Sequence, residues 1–98
     1  MSLNNPINYK IIDLSTSADN VVTTQPCDFI HIRVLEQLSS QEVDVEAGTG
    51  GDVVCTIPAL AERGVTCAGE GIRLPALTLA GNILSTGTVL VAYRIVSL

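Results

Sequence analysis

The sequence predicts an all-β fold: a single-domain β-sandwich with eight or nine short antiparallel strands. First, 98 residues are enough for one domain and too few for two. Second, the chain is 47% hydrophobic but only 3% aromatic, so its core must consist mainly of Val, Ile, Leu and Ala. β-Branched side chains suit a pleated sheet better than a helix. Third, turn residues recur about every 8–12 residues, which is typical of sandwiches and barrels.

Alternation of apolar and polar residues marks the strands of the first half of the domain. The third of these strands alternates most clearly: Ile30, Ile32 and Val34 are expected on one face, and His31 and Arg33 on the other. We therefore predict that the inward row of this strand runs through the isoleucines. The predicted strands of the first half are 7–14, 20–24, 27–36, 41–47 and 51–57.

The second half is punctuated by glycine and proline. The triplet GEG at 69–71 is expected to separate two strands, and residues 58–63 allow at most one short helical turn. Residues 1–6 are polar and form either a disordered tail or an N-terminal arm that orders on a neighbour, which leaves 7–98 as the sandwich domain. The predicted strands of the second half are 64–68, 72–79, 82–85 and 88–98.

The last strand, TVLVAYRIVSL, is apolar on both faces, unlike a half-exposed strand of an antiparallel sheet. One face carries Val89, Val91, Tyr93 and Ile95, which are expected to face the core. The other face is covered either by the chain's own connections or by another protein chain. The candidate interface residues on this second face are Leu90, Ala92, Arg94 and Val96.

The charge balance excludes several classes of partner. Ten acidic residues outnumber five basic ones, and no run of Lys or Arg occurs. Nucleic acids and anionic membranes are bound through such cations, so we expect neither as a partner. The first ten residues lack the basic start and apolar stretch of a secretory leader, and no apolar run reaches the ~20 residues of a spanning helix.

The cysteines and the single histidine do not form a recognisable chemical motif. Cys27 and His31 would share a strand face but stand ~13 Å apart, too far for a thiolate–imidazole pair. Cys27, Cys55 and Cys67 lack the close pairs of a zinc knuckle. Their odd number predicts no disulfide framework and indicates folding in a reducing cytosol. We expect no catalytic residue, no metal and no cofactor.

Two further segments, an acidic strand and the glycine-rich segment that follows it, are candidates for binding sites. Glu42, Asp44 and Glu46 project from one face of a strand, opposite Val43 and Val45. They form either a solvated acidic face or a site that recruits a hard cation such as Ca²⁺. The glycine-rich segment AGTGGD at 47–52 lacks the Lys-Ser/Thr ending of a phosphate loop, so we predict a hairpin turn.

Four features carry a resemblance to a known family: the polar arm MSLNNP, the short strands from INYKIIDL onward, the segment GDVVCTIPA and the closing strand TVLVAYRIV. With these features the chain resembles the small jelly-roll or β-sandwich cement (decoration) proteins of tailed bacteriophage capsids, which implies a jelly-roll-like sandwich. The resemblance implies a non-enzymatic virion protein, assembled in the host cytoplasm, that binds the outside of the shell and stabilises contacts between capsomers. Its implied partners are itself, as a dimer or trimer, and the major capsid protein. The alternatives are another small virion component (neck, tail or head-completion protein) or a carbohydrate-binding β-sandwich module.

Overall fold

The computed structural model describes residues 5–15, 19–81 and 86–96. Within these ranges all regular structure is β-strand, and the prediction of an all-β fold is confirmed. The strand predicted at 82–85 lies outside the described residues. The eight strands are β1 (Asn8–Asp13), β2 (Asp19–Thr23), β3 (Cys27–Glu36), β4 (Val43–Glu46), β5 (Val53–Ile57), β6 (Thr66–Leu74), β7 (Leu77–Ala80) and β8 (Thr88–Ile95).

The strands form two four-stranded antiparallel sheets. Sheet A has the order β1-β8-β3-β6, and sheet B has the order β2-β7-β4-β5. The pairs β1/β8, β2/β7, β3/β6 and β4/β5 are nested, like the two sides of one long hairpin whose tip is the β4–β5 turn. The pairings β3/β8 and β4/β7 join these nested pairs into the two sheets. A long hairpin wrapped into two facing sheets is a jelly roll, as predicted.

The core lies between the sheets and is aliphatic except for one aromatic ring. Phe29 and Ile32 of β3 have no exposed surface, and Leu77 and Leu79 of β7 face them from sheet B. The predicted faces of β8 are confirmed. Val89 and Val91 are fully buried, whereas Tyr93 and Ile95 are partly buried and pack against the core.

A β-bulge in β3 overturns part of the predicted alternation. Phe29 lies opposite Tyr93 and His31 lies opposite Ala92, so Ile30 is an extra residue relative to β8. Phe29 therefore takes the inward position that the sequence assigned to Ile30. The bulge also places Cys27 and His31 on opposite faces. The extra residue Ile30 lies between them and shifts the alternation of side chains by one.

The prediction of a strand break at GEG is also wrong. β6 runs continuously from Thr66 to Leu74, and its register against β3 shifts across residues 69–71. Glu70 and Gly71 absorb the extra length in the left-handed region, with φ of 54° and 76°. The break occurs instead at Pro75, which has no N–H to donate to a ladder.

The two remaining turn predictions fare differently. Residues 47–52 connect β4 to β5 as predicted, with Ala47 N–H bonded to the Asp52 carbonyl at 2.8 Å. The segment 58–63, for which the sequence allowed one helical turn, forms turns: Ala61 N–H donates to the Pro58 carbonyl at 3.3 Å. No helix that could cross a membrane is found among the described residues.

A disulfide joins Cys55 of β5 to Cys67 of β6, with the two Cα atoms 6.8 Å apart. The expectation that the cysteines form no disulfide framework is therefore wrong. The two residues are 12 apart in sequence, but they meet because β5 and β6 are the edge strands of facing sheets on the same side of the sandwich. Cys27 is the free cysteine and is buried in the core.

Candidate interaction surface

The outer face of sheet A contains the candidate interface residues. Leu90 and Ala92 of β8 alternate with the buried Val89 and Val91, so they point away from the core. Their register partners on β1 are Ile11 and Tyr9, which share this outward direction. Ile11 is 66% exposed and Tyr9 is 63% exposed, the two highest values among the exposed large hydrophobic residues. We call Tyr9, Ile11, Leu90 and Arg94 the outer patch.

The four predicted interface residues are not equally accessible. Leu90, Arg94 and Val96 are partly exposed, but Ala92 has no exposed surface. Ala92 lies between Tyr9 on β1 and His31 on β3, and its single methyl group is shorter than both flanking side chains. Ala92 therefore lies beneath its neighbours on the outer face, and a partner would contact those neighbours instead of Ala92.

Arg94 is held at one end of the outer patch. Its Nε donates to the carbonyl oxygen of Asn5 at 2.9 Å, and the Asn5 side-chain amide donates to the Ile95 carbonyl at 2.7 Å. These bonds tie the segment that precedes β1 to the end of β8. Because a backbone carbonyl is neutral, the bond leaves the charge of Arg94 available to an anionic group.

The outer face of sheet A, with Arg94 included, carries most of the chain's Lys and Arg residues. Arg33 lies opposite Leu90 and is exposed, and His31 lies opposite Ala92. At the β6 end, Arg73 Nε forms a salt bridge with Asp28 at 2.6 Å, and this contact raises the pKa of Arg73. Three of the five Lys and Arg residues thus lie on this face.

The outer face of sheet B has the opposite charge. Asp19 and Asp44 both lie opposite Ala80, and Glu46 lies opposite Thr78, so the three acids share one face. The four strands of sheet B, all of them described, contain no Lys or Arg. The sandwich is therefore polarised: the strands of sheet A carry both bases and acids, whereas the strands of sheet B carry acids without bases.

The acidic strand does not gather into a cation cage. Val43 and Val45 are buried, which confirms the predicted alternation with Glu42, Asp44 and Glu46. Asp44 accepts a hydrogen bond from Thr56 Oγ1 at 2.7 Å, and Glu46 accepts one from the Gly50 N–H at 3.2 Å. Among the described residues, no three His, Cys, Asp or Glu side chains are grouped as metal ligands would be.

The chain's own loop covers part of sheet B. Thr78 is only 1% exposed although it shares the outer face with Glu46. Its hydroxyl lies 3.2 Å from that of Thr49, and Gly48 stands close to Ala76, so the 47–52 turn folds back over β7. The outer patch of sheet A is apolar and exposed by comparison, which makes it the better candidate for a partner.

Sequence reasoning missed Tyr9 and Ile11. In INYKIID, Tyr9 and Ile11 alternate with Lys10 and Ile12, and both rows contain apolar residues. The pattern alone therefore does not indicate which row faces the core.

Comparison of the chain with protein-family models, with curated proteins and with solved structures finds no match.

Proposed function

We propose that this chain is a non-enzymatic structural protein of a tailed-bacteriophage virion, a cement protein that binds the outside of the capsid shell. In this role the outer patch contacts the major capsid protein and strengthens the contacts between neighbouring capsomers. The observation that carries the proposal is the exposure of Tyr9 and Ile11 beside Leu90 and Arg94. A contiguous apolar patch on a small domain is typical of a surface that another protein covers.

The composition of the outer patch supports a protein partner. Tyr and Arg are enriched at the energetic centres of protein interfaces, because each combines a large contact area with a polar group. Tyr9 and Arg94 supply this pair, and Ile11 and Leu90 supply apolar area between them. A standard interface buries about 800 Å² per partner. Such an area is a substantial part of the 5393 Å² surface of this chain.

The polarised sandwich supports attachment through sheet A. The two outer faces lie on opposite sides of the domain, so a chain that binds through the outer patch directs Asp19, Asp44 and Glu46 towards solvent. An acidic exterior repels packaged nucleic acid and other acidic particles, and it favours solubility. The charge distribution therefore suits the outside of a shell.

The fold and the disulfide are both compatible with a virion surface. Jelly rolls occur in viral capsid domains and in lectins, although a fold alone does not establish a function. Disulfides persist on virion surfaces and are rare in reducing cytosol. In this proposal, the Cys55–Cys67 bond forms after the host cell lyses, with molecular oxygen or a disulfide as the oxidant.

A carbohydrate-binding module is the second candidate, and one observation favours it. Tyr9 exposes 63% of its surface, and sugar sites use aromatic faces of this kind. The other tyrosine, Tyr93, packs against the core and offers no second platform. A neck, tail or head-completion protein differs from a cement protein mainly in copy number per particle.

The test begins with purified virions of the phage or prophage that encodes the chain. We expect an antibody against the chain to label the outside of the head at many sites, and quantitative mass spectrometry to give one or more copies per capsomer. Labelling at a single vertex or on the tail would replace the cement role with that of another virion component. Absence of the chain from purified particles, together with binding on a glycan array, would replace it with the carbohydrate-binding role.

The contact surface is tested with heads that lack the chain. Wild-type protein should co-sediment with these heads, and Leu90→Asp should lower the affinity by about tenfold or more, because it places an unpaired charge in an apolar contact. Val21→Asp is the matched control, since Val21 is an exposed apolar residue (46%) on the outer side of sheet B. Equal binding by both variants would contradict the assignment of the outer patch.

A further inference from the structure

We infer that β1 is a dimerisation strand: it pairs antiparallel with β1 of a second copy, about a two-fold axis at Tyr9. This arrangement joins sheet A of the two copies into one eight-stranded sheet. The inference rests on the proposed function in one respect, because it specifies the self-association that a cement protein needs. The pairing is supported in four steps by β1 and the residues that contact it.

The first step concerns the free backbone groups of the edge strand. Leu14 N–H donates to the Gly87 carbonyl at 2.9 Å, so the backbone of Leu14 points towards the β8 side. Successive residues of a strand point their N–H and C=O groups to alternate sides. The groups of Ile12 and Lys10 therefore face β8, and those of Tyr9 and Ile11 point to the other side of β1, where no described strand is paired with it. A partner strand would find the backbone groups that pairing needs.

The second step concerns protection of the edge. Proteins commonly guard an edge strand with a charged side chain, and Lys10 is the only lysine in the chain. Its Nζ donates to the carbonyl oxygen of Val22 on β2 at 3.2 Å, so the charge is directed towards the facing sheet. The side chains that stand beside the open backbone groups are instead Tyr9 and Ile11, both mostly exposed. The edge is thus apolar where a second strand would lie.

The third step concerns the register. A two-fold axis at Lys10 would place two ammonium groups opposite each other, and an axis at Ile11 would place Tyr9 opposite Asp13. An axis at Tyr9 pairs Tyr9 with its own copy, Ile7 with Ile11 of the second copy, and Asn8 with Lys10 of the second copy. In this register apolar residues meet apolar residues on one face, and polar residues meet on the other. Ile7 precedes the strand and is itself 36% exposed.

The fourth step concerns charge at the ends of the paired strands. With the axis at Tyr9, Asp13 of the second copy lies opposite Asn5, whose carbonyl oxygen accepts the hydrogen bond from Arg94 Nε. The pairing therefore brings a carboxylate near a guanidinium at each of its two ends. A hydrogen bond from Ser15 Oγ at 2.6 Å lowers the pKa of Asp13, so the carboxylate stays ionised at neutral pH. This complementarity favours a second copy of the chain over an unrelated strand.

The experiment compares wild-type protein with Tyr9→Lys by analytical ultracentrifugation over a range of concentrations. Wild type should dimerise, and Tyr9→Lys should raise the dimer dissociation constant by about tenfold or more, because it sets two like charges opposite each other at the axis. Val21→Lys is the matched control: Val21 is also an exposed apolar residue on an edge strand, but of sheet B. Unfolding by urea shows whether each variant is folded, and an unfolded Tyr9→Lys is replaced by Tyr9→Ser.

Two measurements report on the pairing itself. Amide hydrogen exchange at Tyr9 and Ile11 should slow as the concentration rises, and Tyr9→Cys should form an intermolecular disulfide under air whereas Val21→Cys should not. A wild-type chain that stays monomeric at every concentration overturns the inference. A dimer that survives Tyr9→Lys, or that leaves these amides in fast exchange, also overturns it, because the copies would then meet elsewhere.

These outcomes are separable from those of the proposed function. A monomeric chain that still binds phage heads would sink the β1 pairing and leave the cement role intact. A β1-paired dimer that binds no head would sink the cement role and leave the pairing intact. Leu90→Asp serves this comparison, since Leu90 lies on β8, away from the open edge. It should weaken binding to heads without changing the dimer dissociation constant.

Discussion

Lys10 Nζ donates a hydrogen bond to the carbonyl oxygen of Val22 at 3.2 Å, and this contact links edge strand β1 of sheet A to edge strand β2 of sheet B. On the opposite side of the sandwich, the Cys55–Cys67 disulfide links edge strands β5 and β6. Each open side of the sandwich therefore has a specific cross-sheet connection between its two edge strands. One connection is a hydrogen bond and the other is a covalent bond, so we expect them to contribute differently to the free energy of unfolding.

Replacing Lys10 by Met should lower the free energy of unfolding by about 1 kcal/mol, the net contribution of a typical hydrogen bond, because solvent at this partly exposed site weakens the contribution of the charge. Met keeps the apolar stem and removes only the ammonium group. Urea denaturation provides the measurement. Lys10→Arg is the control and should retain most of the stability; equal values for wild type and Lys10→Met would show that the contact contributes nothing.

Reduction of the Cys55–Cys67 disulfide should lower the free energy of unfolding by about 2–4 kcal/mol, because the bond restricts a loop of this length in the unfolded chain. Urea denaturation with and without dithiothreitol measures the difference. The double variant Cys55→Ser/Cys67→Ser should match the reduced wild type and should not respond to reductant. A wild type that is insensitive to dithiothreitol would contradict the prediction.

Cys27 should be unreactive in the folded protein. Its side chain has no exposed surface, and burial raises the pKa of the thiol, with the neighbouring Asp28 adding to the rise. The reactive thiolate is therefore disfavoured in the folded state at neutral pH. A thiol reagent such as Ellman's should detect no thiol in the native protein, one after unfolding without reductant, and all three after reduction and unfolding.

Gly69→Ala should lower the free energy of unfolding by about 3 kcal/mol or more. A Cβ at this position would overlap both the ring and the backbone carbonyl of Phe29. Gly71→Ala is the matched comparison in the same bulge. Its Cβ would meet nothing within 4 Å, so only the positive φ of 76° opposes it, at a cost of about 1 kcal/mol. Thermal unfolding compares the two. Gly71→Asn should recover part of that loss, because Asn tolerates the left-handed region; a reversed order of the two Ala variants would contradict the steric argument.

The class of fold could be predicted from the sequence because the alternation of Val43 and Val45 with acidic residues, and the two apolar rows of β8, are local patterns. The continuity of β6 through GEG could not be predicted, because glycines of this kind occur both in turns that end a strand and in bulges that do not. Whether Gly69 ends a strand or makes room for Phe29 depends on a ring that lies forty residues earlier in the chain.

The candidate site was only half predictable for a similar reason. Leu90 and Arg94 could be assigned to the second face of β8 because Val89 and Val91 fix the inward row. Tyr9 and Ile11 complete the outer patch only through their register with β8, which is a long-range pairing. The burial of Ala92 depends on the same pairing, since Tyr9 and His31 flank it from different strands. The disulfide likewise depends on two edges that meet across the sandwich.

The central position of β8 between β1 and β3 has a consequence for synthesis on the ribosome. Asn8 lies opposite Tyr93, so β1 has no partner within sheet A until β8 has been synthesised. Contacts between residues so distant along the chain slow folding, because a large loop must close before they form. During translation β1 therefore remains an unpaired strand that carries Tyr9, Ile11 and Ile12, and crowded nascent chains are most vulnerable to mispairing with one another at this strand.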